Sequence, residues 1–440
     1  MPRRAWRSMV YLLYDIVLFL AAFILAPLGL VKGTRYPKLW QGFGERFAIY
    51  EKERLHFLKN RQVIWIHAVS IGETKASIPL IKQLRQAFPE AAIVLSSLTF
   101  TGRVTAEEID EADLCLFMPY DFSWIVDRAL RQVQPDMVLL VETEIWPNFI
   151  RKVSATGIKL VMINGRISDR SFPKYWMVKS LLTPVLQKFT RLCMQSRQDE
   201  LRITRLGADP ERVEVTGNLK FDLPAPGFDA AEIEQFRQEL KLPEKVMVWV
   251  AGSTRQGEEE IILDAYRKLL EKGQQLLLIL VPRYPERAKD VVALAEKLEI
   301  TTFLRSTLCS ESQEMQSGEV VVGDTLGEML KFYACADVVF VGGSLVPIGG
   351  HNVLEACLMK KPVLFGPHME NFRSISKLLI EAGGGFQVQA DELADKVKEL
   401  LADKQLQLQV GKNGYNLFAE HAGATERTVS IVQHLMDVDE

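Results

Sequence analysis

Val63-Ile64-Trp65-Ile66-His67-Ala68-Val69-Ser70-Ile71-Gly72-Glu73-Thr74 passes from an apolar run, through a turn, into the amphipathic stretch Lys75–Phe88. A short run rich in β-branched and aromatic residues, followed by glycine and then a helical period, reads as a buried strand entering a helix. Similar apolar runs recur at Ala91–Leu95, Leu114–Met118, Met137–Val141, Ile158–Ile163 and Leu192–Met194, with helical stretches such as Trp124–Val133 between them. Apolar strands alternating with helices predict βαβ units and a parallel sheet covered on both faces. The run Phe221-Asp222-Leu223-Pro224-Ala225-Pro226-Gly227 interrupts the pattern as a linker. The alternation then restarts at Val246–Ala251, Gln275–Val281, Val320–Val322, Val338–Val341 and Pro362–Phe365. The expected fold is therefore α/β, with two Rossmann-like, doubly wound halves facing a cleft. The loops at the carboxyl ends of the strands are where ligands are expected.

The 440 residues suffice for two or three domains, and with 48% hydrophobic and 25% charged residues the chain is neither collagenous nor wholly disordered. A net charge of −3 argues against nucleic acid as a partner, because phosphate binding leaves a basic footprint. The five cysteines (115, 193, 309, 335 and 357) are scattered and form no C-x-x-C pair, which predicts reduced thiols, no disulfide framework and no zinc site. Residues 8–31, SMVYLLYDIVLFLAAFILAPLGLV, carry one charge, Asp15. At about 1.5 Å of rise per residue they reach about 36 Å, enough for about 30 Å of hydrocarbon. The segment is read as a membrane anchor over 1–31, with an interfacial helix as the competing form because Asp15 and Pro27 both weaken a full span. Arg3, Arg4 and Arg7 on one side, and Lys32, Arg35 and Lys38 on the other, leave its orientation open.

Several loops carry side chains suited to chemistry. Glu73 falls at the mouth of a helix, where its anion is stabilised and where a capping carboxylate would look the same. Glu142 and Glu144 leave the end of a buried strand at alternating positions, pointing to one side if the strand continues. Lys220, in the domain-junction sequence Gly217-Asn218-Leu219-Lys220-Phe221-Asp222, is placed to reach an anion or to pair with Asp222. In the second half Ala251-Gly252-Ser253-Thr254 precedes the acidic start Glu258-Glu259-Glu260, and Arg283 follows a strand where it could grip a phosphate. The paired glycines of Gly342-Gly343 and Gly349-Gly350 would let backbone N–H groups approach a phosphate, and Asn352 and Glu355 share a helix face. Glu355 there is suited to accept ribose hydroxyls. Successive glycine-bearing loops in one half predict a nucleotide site, while the missing G-x-x-x-x-G-K-[ST] disfavours a P-loop. No metal or cofactor is expected.

HAVSIGE (67–73), ETEIWPN (142–148), GNLKFD (217–222), AGST with GEE (251–259), LILVPRYPER (278–287), GDTLGEM (323–329) and FVGGSLVPIGGHNVLEA (340–356) also stand in the order seen in 3-deoxy-D-manno-octulosonic acid (Kdo) transferases, and the chain resembles that family over essentially its whole length. The resemblance implies a GT-B glycosyltransferase with an acceptor-binding domain over 32–222 and a donor-binding domain over 223–440, the last helix packing back on the first domain. It implies an inverting transfer of Kdo from CMP-Kdo to the tetraacyl disaccharide lipid A precursor, at the cytoplasmic side of the bacterial inner membrane. Glu73 matches the family's catalytic base, and Glu142 and Lys220 match groups that support the transition state. Pro282 and Arg283, then Leu326, Gly327 and Glu328, then Asn352, Val353, Leu354 and Glu355 match its CMP-binding stretches. The chain departs from the family pattern at Arg255 and Gln256, where many relatives have His-Glu, and at Tyr284, where they have His. A UDP-sugar transferase or a nucleotide-sugar epimerase on the same architecture is the alternative.

Overall fold

The computed structural model describes residues 11, 14–24, 42–223, 227–308 and 313–437. Both linker prolines, Pro224 and Pro226, Cys309 and the basic residues flanking the apolar N-terminal segment lie outside that set, as does much of the segment itself. The chain divides into two compact units, residues 1–222 with 422–440, and residues 223–421. The second domain therefore ends before the last helix, which belongs to the first unit rather than to 223–440.

Among the described residues the first unit holds one seven-stranded sheet, of β1 (Val63–His67), β2 (Ala92–Ser97), β3 (Leu114–Phe117), β4 (Met137–Val141), β5 (Lys159–Gly165), β6 (Arg191–Met194) and β7 (Val213–Val215). The order is β3-β2-β1-β4-β5-β6-β7, and every pairing is parallel. Alternate residues of β1 serve opposite faces, as a pleated strand requires. Val63 and Trp65 pack with Phe149 and Leu186 on one side, while Ile64 and Ile66 pack with Leu80, Leu84, Val432 and Leu435 on the other. Both faces are buried, which is why the run is continuously apolar. The helix Ile71–Ala87 and the terminal helix Ala424–Asp437 share the second face. Asp222 holds the terminal helix by accepting from the N–H groups of Gly423 and Thr425.

The second sheet repeats the plan with β8 (Met247–Thr254), β9 (Leu276–Pro282), β10 (Thr302–Leu304), β11 (Val320–Val322), β12 (Val338–Val341), β13 (Val363–Phe365) and β14 (Gly385–Gln387), in the order β10-β11-β9-β8-β12-β13-β14. All its pairs are parallel as well. In each sheet the chain leaves its first strand in one direction and later returns to that strand's other side. The reversal falls between β1 and β4, and between β8 and β12. Such switch points open a crevice outside the carboxyl ends of the two strands.

Near the N-terminus, residues 14–24 are helical, and Ile16, Val17, Phe19, Leu20, Phe23 and Ile24 are exposed. No helix among the described residues is long and apolar enough to cross a membrane. Asp15 is not a stray charge in an apolar helix. It accepts from the N–H of Ser123 at 3.2 Å and from Nδ2 of Asn148 at 2.7 Å, next to Asp121, which accepts from Tyr14 at 3.0 Å and from the N–H of Phe149 at 2.7 Å. These carboxylates satisfy the open N-termini of the helices Ser123–Val133 and Pro147–Ala155. Cys115, Cys193, Cys335 and Cys357 are free and buried.

Candidate active site

The loops after β1 and β4 bring three carboxylates to the switch point of the first sheet. Ser70 caps the helix Ile71–Ala87 by accepting from the N–H of Glu73, and the Glu73 carboxylate turns back to accept from the N–H of Val69 at 2.7 Å and from the Ser70 hydroxyl at 2.9 Å. This is a capping-box arrangement shifted by one residue. The cap does not exhaust Glu73, because each carboxylate oxygen has a second lone pair. Burial, and then the nearby Glu142, push its proton affinity above the ordinary carboxylate range, while the Val69 N–H, the Ser70 hydroxyl and Lys220 pull it down. Glu144 is pushed up to about 7 by burial, then by Glu73 and Glu142. Like charges brought together in a partly dry crevice produce this pattern, which is characteristic of functional sites.

Glu142 departs from the expected geometry. Its φ is +61°, so the strand ends at Val141, and the alternation that would have aligned Glu142 with Glu144 does not apply. The electrostatic coupling of both to Glu73 shows that the loop nonetheless gathers the three acids. A non-glycine residue held in the left-handed region at a strand end is backbone strain of the kind found at ligand-binding loops. Lys220 lies on the short turn Leu219–Phe221, whose backbone is set by Asn218 and by Asn164, the latter accepting from the N–H of Leu219 at 3.1 Å. Asp222, the residue offered as its partner, is committed to the terminal helix, whereas Lys220 stabilises the Glu73 anion. Asn164 was missed in the sequence; it too has positive φ, +54°, and no spacing signal marks it. His67 is fully buried, bonded through Nδ1 to Ser96 and pushed down to about 4 by burial, which suits packing rather than proton transfer.

In the second unit the loops after β8, β9 and β12 meet at the other switch point, but two expected phosphate cradles are occupied by the protein itself. The carboxylate of buried Glu258 accepts from the N–H groups of Gly343 at 2.6 Å, Ser344 at 2.8 Å, Leu345 at 2.7 Å and Arg255 at 2.9 Å. The backbone donors expected to hold a ligand phosphate hold an internal carboxylate instead. Gly342 and Gly350 serve close packing: a Cβ on Gly342 would stand 2.6 Å from Cα of Thr254, and one on Gly350 would stand 2.3 Å from Sδ of Met369. Glu259 is also buried, accepting from Arg287 at 2.8 Å and from Thr254 at 3.2 Å. Neither acid is therefore part of an open anion-binding helix terminus.

The remaining candidates occupy varied settings. Asn352 donates to Glu355 at 3.4 Å, so the two do share a face, with Tyr333 buried alongside and close enough to feel the Glu355 charge. Val353 and Leu354 are fully buried core side chains. Pro282 ends β9 and is buried, and Arg283 follows it, its N–H bonded to Thr254 at 3.0 Å. Leu326 is 82% exposed beside Gly327, whose φ is +81°, and Glu328 accepts from Arg305 at 3.0 Å. Among the described residues no cluster of His, Cys, Asp and Glu is arranged to hold a metal ion.

Comparison with known proteins bears on this arrangement. The family model described as 3-Deoxy-D-manno-octulosonic-acid transferase (kdotransferase) matches residues 41–223. The chain is 34% identical to the 3-deoxy-D-manno-octulosonic acid transferase of Haemophilus influenzae over 96% of its own length and 98% of that protein's. It is 31% identical to the enzyme of that name from Bordetella pertussis, over 84% of this chain and 86% of that one. Among solved structures, a glycosyltransferase from Rickettsia africae aligns with a TM-score of 0.55 at 14% identity, covering 86% of this chain and 99% of that one. The UDP-GlcNAc 2-epimerase of Neisseria meningitidis aligns with a TM-score of 0.56 at 12% identity, covering 84% of this chain and 99% of its own, a likeness of fold alone. With a near-full-length relative at this identity, the chain belongs to the 3-deoxy-D-manno-octulosonic acid transferase family.

Proposed function

We propose that this protein transfers Kdo from CMP-Kdo to the tetraacyl disaccharide lipid A precursor with inversion at C2 of the sugar. The observation that carries the reading is Glu73, a half-buried carboxylate at a switch point, raised in proton affinity by burial and by Glu142, with the Val69 N–H, the Ser70 hydroxyl and Lys220 favouring its anion. A sugar hydroxyl is a weak nucleophile, and a positioned base typically contributes about 10²–10⁴-fold. Glu73 takes the hydroxyl proton as the oxygen attacks C2. The bond from C2 to the phosphate oxygen breaks, and CMP leaves with its electron pair. Base and leaving group on opposite sides of the carbon give inversion in one displacement. Glu142 and Lys220 set the charge around Glu73, while Arg283, Asn352 and Glu355 receive the nucleotide, with Pro282, Leu326, Gly327 and Glu328 shaping its loops.

The acceptor is a lipid, and the proposed site of action is the cytoplasmic side of the bacterial inner membrane. The exposed apolar flank of helix 14–24 supports that reading, as do exposed Trp176, Met177 and Leu181 beside Lys179, which lies over the Trp176 ring at 4.5 Å. Apolar side chains with nearby cations are the makings of an interfacial element. With Asp15 bonded to the protein body, that flank carries no unpaired charge. Donor profiling tests the reaction: acceptor-dependent release of CMP from CMP-Kdo is expected, and turnover of UDP-sugars in its place would overturn it.

A further inference from the structure

Arg255, Arg283 and His351 stand on the loops that follow three neighbouring strands, β8, β9 and β12. Nε of Arg255 donates to Nε2 of His351 at 3.1 Å, and its guanidinium lies over the Tyr284 ring, 4.6 Å from the centroid. Accepting at Nε2 requires the imidazole to be neutral, with its proton on Nδ1. The imidazole is pushed down to about 4 by burial, then by Arg255 and Arg283, so it remains neutral at physiological pH. The bond to His351 and the contact with the Tyr284 ring hold the guanidinium through Nε and its face, and among the described residues neither Nη group of Arg255 makes a hydrogen bond. Among the described residues no carboxylate pairs with Arg255 or Arg283. The nearby acids are engaged elsewhere: Glu258 by backbone N–H groups, Glu259 by Arg287, and Glu355 by Asn352. Two guanidinium groups around one neutral ring, neither paired with a carboxylate among the described residues, are an arrangement that a bound oxyanion completes.

We propose that Arg255, braced by Tyr284 and His351, forms with Arg283 a two-guanidinium subsite for an oxyanion of the donor. This rests on the donor being CMP-Kdo, which carries two such groups, the phosphodiester and the sugar carboxylate. Arg255 is then a donor-binding residue, and Tyr284 a positioning residue that acts through it. A planar guanidinium fork receives either group through paired, charge-assisted hydrogen bonds.

The test compares the unaltered 440-residue chain with its Arg255→Gln variant, reading KM and kcat for CMP-Kdo and inhibition by CMP. The expected result is a rise of about tenfold or more in donor KM, with kcat within about threefold. A parallel loss of CMP inhibition assigns the subsite to the phosphate, and unchanged CMP inhibition assigns it to the carboxylate; both support the proposal. Tyr284→Ala should raise donor KM by a smaller factor, and Tyr284→Phe, which restores the ring, should recover it. An unchanged donor KM and unchanged CMP inhibition in Arg255→Gln would overturn the subsite. Failure of the unaltered protein to turn over CMP-Kdo would instead overturn the functional reading, and is seen before any variant is made.

Discussion

Replacing Glu73 by Gln keeps the loop, because an amide oxygen still accepts from Val69 or Ser70, but removes the basic carboxylate. Turnover should fall by about 10²-fold or more while inhibition by CMP stays within a few-fold. Near-normal turnover would leave Glu73 as a helix cap and move the base to Glu144. That neighbour makes a separate prediction. Its proton affinity is raised to about 7 from an ordinary 4.5, so the folded state holds a proton that the unfolded chain releases. Stability from that proton is present below about pH 4.5 and is lost as pH rises through about 7. Thermal unfolding from about pH 5 to about pH 8 should show the unaltered protein declining relative to Glu144→Gln; parallel curves would mean that Glu144 titrates like a solvated acid.

At the scale of the element, the Gly-rich loop after β12 depends on Glu258. Glu258→Gln puts an amide nitrogen among N–H donors and strands at least one of them. The variant should lose about 1–3 kcal/mol in denaturant unfolding, with donor loops loosened in hydrogen exchange. This interaction was illegible in the sequence, where Glu258 and Gly343 stand 85 positions apart and glycine pairs signal close approach without saying to what. The central strands were readable because burial on both faces makes them continuously apolar. The edge strands β7, β10 and β14 were not, since three residues each, with Glu214, Thr302 and Gln387 among them, give no run to detect. Glu73 was visible as a charge at a strand end and Lys220 as a charge at the domain junction, but the left-handed backbone at Glu142 follows from no local propensity. Arg255 and Tyr284, noticed only as departures from a pattern, touch each other.

Across the whole molecule, the N-terminal helix and the terminal helix both close back on the first unit. Deleting residues 1–31 removes Tyr14 and Asp15 from the helix starts at Ser123 and Asn148, at a cost of about 1–2 kcal/mol. The body should still fold, since the sheet of the first unit is built from strands between Val63 and Val215. Activity on detergent-dispersed acceptor should persist, and activity on acceptor in vesicles should drop. Equal activity in both settings would remove the segment from membrane attachment. The central claim, that Glu73 is the base in a transfer of Kdo onto a lipid, is tested most directly by mass spectrometry of the acceptor after incubation with CMP-Kdo. The account predicts tetraacyl disaccharide carrying added Kdo with the unaltered protein and unmodified acceptor with Glu73→Gln. Kdo addition at equal rates by both proteins, or CMP release with no gain in acceptor mass, would contradict it.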